Sequence, residues 1–161
     1  MTTAIVELFR HHTWANLGLL DAVAGHGAEH LDARADGTYG SVSDTLMHLF
    51  ASEGRYIAHL RGDSEQAVLH ESQPFAGFDV LRRHARENGD ALIVIATSAG
   101  PEDTIRGEYR GQPYDMPVAF PLAQAINHAT EHRAHIATIL TGRRLAMPEL
   151  DVWTFMRSRG R

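Results

Sequence analysis

Four stretches of about 20 residues, each with apolar side chains near helical spacing and each closed by glycine or proline, hold this chain to an all-α fold. The first runs from about Thr3 to Ala24, with Ile5, Leu8, Phe9, His12, Leu19, Leu20 and Val23 on the periodic positions and Gly25 and Gly27 ending it. The second begins where Ser41 and Asp44 make a capping-box-like pair, and runs to about Leu60, stopped by Gly62. The third, from about Gly77 to Ser98, carries Phe78, Leu81, Ala85, Leu92 and Ile95 and closes at Gly100-Pro101. The fourth spans about Pro121 to Leu140, with the proline near its first turn and Gly142 at its end. Between the second and third lies a polar linker, Asp63 to Pro74. From Thr104 to Val118 the helical period breaks around Arg110-Gly111-Gln112, which predicts a short hairpin or an irregular crossover before the last helix. Beyond Pro148, Leu150 to Met156 is apolar enough to pack back on the body. These elements describe a four-helix bundle, a fold whose facing helices commonly build metal sites.

Length and composition bound the function. At 161 residues, the chain is expected to be one domain, residues 1–161. A formal charge of -5 and a pI near 6.1 offer nothing to attract nucleic acid or an anionic membrane. Every basic residue is arginine, so Schiff-base chemistry and a lysine general base are excluded. Cysteine is absent as well, which removes disulfides, thiolate ligands and a cysteine nucleophile together. Any thiol chemistry would use a thiol brought by a substrate. With no basic region and apolar run at the N-terminus and no long apolar stretch, a soluble cytoplasmic protein is the expectation.

Within the fourth helix, Asn127-His128-Ala129-Thr130-Glu131-His132 sets two imidazoles four residues apart. Side chains at that spacing are neighbours on one face, so both rings can converge on one cation. A third ligand must come from elsewhere, and His48 on the second helix, beside Leu46, Leu49 and Phe50, is the best candidate. Three neutral imidazoles with positions left to water describe a catalytic metal centre rather than a structural one. His132 with His135 is a rival pair, whereas His128 and His135 stand two turns apart and cannot share an ion. The other histidines read as ordinary: His26, His30 and His70 in loops, and His84 beside Arg82, Arg83 and Arg86. Adjacent His11 and His12 diverge by about 100° on a helix, so at most one faces the bundle. His59 is about 16 Å along the axis from His48, too far to share its ion.

The chain resembles the DinB/YfiT-like superfamily of small metal-binding four-helix bundles. The matching elements run the full length in the family's order: Trp14-Ala15-Asn16, Gly40-Ser41-Val42 leading into Leu46-Met47-His48-Leu49, then Asn127-His128 and His132-Arg133, then Leu140-Thr141-Gly142 before Pro148-Glu149-Leu150-Asp151. The resemblance implies a metal triad of His48, His128 and His132. Where relatives often have glutamine this chain has His135, which leaves open an alternative ligand or a supporting role beside the ion. It further implies an up-down-down-up connection, homodimerisation, and zinc or nickel as the metal. Characterised relatives include transferases and isomerases that act on a low-molecular-weight thiol, such as mycothiol-dependent maleylpyruvate isomerase and bacillithiol transferases.

A three-histidine centre keeps a net positive charge and favours an anion in its open position, where a substrate thiol would bind as thiolate. Asp44 and Glu131, each about one turn from a ligand, could orient the rings, although a helix cap describes Asp44 better and a solvated charge is the alternative for Glu131. Two rival functions stand beside the thiol-dependent enzyme. His128 to His132 also spells His-x-x-Glu-His, the inverted zincin signature, in which Glu131 would be the general base of a metallopeptidase. A non-catalytic metal-binding bundle that works through a partner, for instance in stress, is the other.

Overall fold

The computed structural model describes residues 3–63, 69–109 and 111–160. Residues 64–68 of the polar linker, Arg110 of the expected turn, and Met1, Thr2 and Arg161 lie outside the described residues. The helices are α1 (Ala4–His26), α2 (Val42–Arg61), α3 (Phe78–Ser98), α4 (Ala119–Gly142) and a short α5 (Val152–Ser158). A two-stranded antiparallel hairpin, β1 (Thr104–Tyr109) with β2 (Gln112–Pro117), precedes α4, so the hairpin expected there forms.

Local chemistry sets the ends of α2 in detail. Ser41 Oγ accepts from the Asp44 amide at 3.0 Å while Asp44 Oδ2 accepts from the Ser41 amide at 3.1 Å, closing the capping box. At the other end Gly62 adopts φ 67°, the left-handed conformation that glycine enters without a Cβ penalty, and its amide bonds back to the last turn.

Two apolar clusters fix the directions of the helices. Phe9 of α1, Ile57 of α2, Leu92 and Ala96 of α3, and Leu122 and Ala125 of α4 pack together. Leu19 and Val23, Leu46 and Leu49, Leu81 and Ala85, and Ile136 and Ile139 of the same four helices form the second cluster. The first cluster joins the start of α1 and α4 to the end of α2 and α3, and the second does the reverse. The bundle is therefore up-down-down-up, as the resemblance implies. Helix α1 contacts α3 and α4, and α2 contacts the same two, so α1 stands diagonally across from α2. Parallel α2 and α3 require a connection that returns about 30 Å along the bundle, and Leu69, Phe75 and Ala76 pack against the core on that return.

Close approach of α1 to α3 depends on Gly89, where a Cβ would stand 2.1 Å from Thr13 Oγ1. The C-terminal segment folds back as expected: Asp151 caps α5 by accepting from the Thr154 amide at 2.9 Å, and Phe155 packs on Trp14 and His11 of α1.

Candidate metal centre

Helices α2 and α4 face each other, and the triad lies between them. On α2, Leu46, Leu49 and Phe50 are buried in the core, which leaves His48 partly buried on the flank toward α4. On α4, Ala125 and Ala129 are fully buried, and His128 and His132 keep only 8% and 4% of their surface. The Nε2 atoms converge. His48 Nε2 and His132 Nε2 each lie 3.0 Å from His128 Nε2. Three nitrogens bound at about 2.0–2.1 Å in a tetrahedral shell would be roughly 3.3 Å apart, so little movement separates this arrangement from a ligand set. The group could hold a metal ion, and it is the one such cluster of three or more ligating side chains among the described residues.

The donor set itself fits a cation better than it fits hydrogen bonding. His48 Nδ1 donates to Glu71 Oε2 at 2.8 Å, which places the neutral ring's proton on Nδ1 and leaves a lone pair on Nε2. His128 Nε2 can then satisfy only one of its two contacts with a proton. A cation addressed by all three lone pairs satisfies both. Burial, reinforced by the charges the other imidazoles would carry, lowers the pKa of His128 and of His132 to about 4. Both rings are therefore neutral at pH 7, the state a metal requires. Their Nδ1 atoms are buried and have no hydrogen-bond partner among the described residues.

Glu71 was read only as part of a polar linker, yet it is the anchor of His48. Partial burial pushes its carboxyl up, but the His48 hydrogen bond and the Arg55 guanidinium outweigh this and hold it below the usual range. Tyr39 stacks on His48, with ring centroids 4.1 Å apart, and Tyr56 meets His128 edge-on at 5.7 Å. No local sequence pattern marks these residues, because each reaches the triad from a different element.

A second group missed from sequence is the buried polar layer inside the bundle. Glu53 is fully buried, accepts from Asn16 Nδ2 at 2.8 Å and lies 2.8 Å from His12 Nε2. Asn16 Oδ1 accepts in turn from Arg133 Nη1 at 2.8 Å. Asn16 and Arg133 lie in segments that carried the family resemblance, a hint that gave them no role.

The remaining histidines fall where ordinary chemistry puts them. His12 faces the interior and His11 bonds the Leu150 carbonyl at 2.7 Å, in keeping with their divergence on the helix. His59 pairs with the Tyr114 hydroxyl at 2.7 Å and His26 with the Ala146 carbonyl. His135 is partly buried with its ring 5.4 Å from that of His132, outside the converging three. Asp44 is a cap that also binds Arg34, and Glu131 is exposed.

An up-down-down-up bundle that brings three imidazoles together from facing helices defines a class: small helical proteins whose facing helices could hold a metal. The sequence matches the DinB family over residues 1–159 of 161, and the chain belongs to that family. A search of the curated proteins finds no match. No described helix is long and apolar enough to cross a membrane.

Proposed function

We propose that His48, His128 and His132 bind one divalent ion, zinc or nickel, and that the protein is a transferase or isomerase that uses this ion to activate a low-molecular-weight thiol. The observation that carries the reading is the convergence of three Nε2 atoms on one point, with two contacts of 3.0 Å. A divalent ion there would lower the pKa of a substrate thiol and so supply a nucleophile at neutral pH. The chain has no cysteine or lysine of its own to serve instead. Glu71 holds His48 in the ligating tautomer, Tyr39 covers one face of that ring, and Arg55 beside Glu71 offers a cation to an anionic substrate. The protein works as a homodimer, in keeping with the family resemblance.

The test combines elemental analysis of protein purified without added metal with X-ray absorption of the zinc or nickel form. Adding a suitable small thiol should place a sulfur scatterer at about 2.3 Å from zinc. An unchanged metal shell across a broad panel of thiols would remove the enzymatic part of this reading.

The second reading is a non-catalytic metal-binding bundle that works through a partner. That reading predicts equal affinity for a protein partner with and without metal. The peptidase alternative draws no support from Glu131, which is exposed while the flanking ligands are buried.

A further inference from the structure

On the side of α4 away from the histidine triad, a groove of about 450 Å³ runs between α1, α4 and the C-terminal segment. Its walls are apolar, with Leu8 and Leu19 of α1, Ile126 and Ala137 of α4, and Met147 and Leu150 of the returning chain. The volume lies in the range that small-molecule sites occupy. Four polar residues interrupt this lining: His11, Thr130, Arg133 and Asp151.

Arg133 is unusual among the cations of this protein. Only 7% of its surface is exposed, and among the described residues no carboxylate lies within ion-pairing distance of it. Its bonds go to neutral oxygens, Asn16 Oδ1 at 2.8 Å and Thr130 Oγ1 at 2.9 Å. Burial lowers its pKa to about 10, partly offset by Glu53 beyond Asn16, which still leaves it charged at neutral pH. A guanidinium has five N–H donors in a planar fork suited to a carboxylate, and two of them are used here. Arg133 itself lines the groove, as do His11 and Thr130, whose hydroxyl its Nη2 bonds. Thr130 directs its own hydroxyl proton to the Ile126 carbonyl. Asp151, on the same rim, uses its carboxylate on the amide and hydroxyl of Thr154 at the start of α5.

We infer that this groove binds a small amphipathic carboxylate, its apolar body along Leu8, Ile126 and Leu150 and its carboxylate against the buried Arg133. A charge-assisted pair in a low-dielectric setting completes a cation that the fold leaves without a countercharge in contact. The groove is independent of the metal proposal, because none of the three triad histidines lines it.

Decanoate and decanol are the matched probes, titrated calorimetrically into the metal-free full chain so that no ion competes for the carboxylate. Decanoate should bind at least about tenfold tighter than decanol, which is about 1.4 kcal/mol. Arg133→Met should bring decanoate down to the affinity of decanol. Because that change also removes the Asn16 bond, Ala134→Trp provides a second variant: Ala134 is exposed on the groove, and an indole there should block both probes while the fold persists. His48→Ala should bind decanoate as the unaltered protein does. Equal affinities for the two probes, full binding by Ala134→Trp, or loss of binding in His48→Ala would each overturn the inference.

Discussion

His48 Nδ1 donates to Glu71 Oε2 across 2.8 Å, joining α2 to a residue of the long connection that follows it. That one bond sets the ring's tautomer and so turns Nε2 toward His128. It also explains why an acidic residue outside every helix matters to the centre.

Glu71→Ala should therefore weaken metal binding about 10–100-fold without unfolding the bundle, the usual effect of removing a ligand's hydrogen-bond partner. Competition against a chelator of known affinity measures it. Unchanged affinity would mean that packing under Tyr39 alone orients His48.

Replacing His48, His128 or His132 singly with Ala should remove most of the bound metal while helicity by circular dichroism stays near that of the parent. His135→Ala is the control, since its ring lies outside the converging set. Metal retained in His128→Ala but lost in His135→Ala would transfer the site to the His132 and His135 pair.

Acid should destabilise the metal-free protein through its buried rings. The pKa values of His128 and His132 are about 4 in the folded chain, below the unperturbed value of 6.5, so the unfolded chain binds more protons between those limits. Stability present above pH 6.5 should fall as the pH drops toward 4, by about 1.4 kcal/mol per pH unit for each proton taken up. Urea unfolding at pH 7.5, 6 and 5 reads the slope, roughly the points where the difference begins and grows. A flat profile would show that both rings titrate normally, and bound metal should deepen the acid loss because ligation needs the neutral rings.

Glu53→Ala should cost about 3–5 kcal/mol, the penalty for leaving the partners of a buried polar network unsatisfied. Glu53 is fully buried and serves His12 and Asn16, and Asn16 in turn serves Arg133. Chemical denaturation is the measurement. A loss below about 1 kcal/mol would indicate that the network adds no net stability.

Much of this protein was legible in the chain alone. Apolar spacing and Gly or Pro punctuation located four helices to within two residues at most ends, the Ser41 and Asp44 pair located a real capping box, and the four-residue spacing of His128 and His132 placed both rings on one face. These are local properties, decided by periodicity and by bonds between residues a few positions apart. His48 was the best third candidate from its helix and its apolar neighbours, and the family resemblance supported the choice, but no local spacing could link it to His128, 80 positions away. What only the tertiary structure decided is which distant groups meet: Glu71 at His48, Tyr39 over the ring, Glu53 with His12 and Asn16, and Arg133 lining a groove with no carboxylate in contact among the described residues. The physical reason is that burial and pairing of a polar side chain are set by helix packing and by the path of connections, neither of which leaves a period in the sequence.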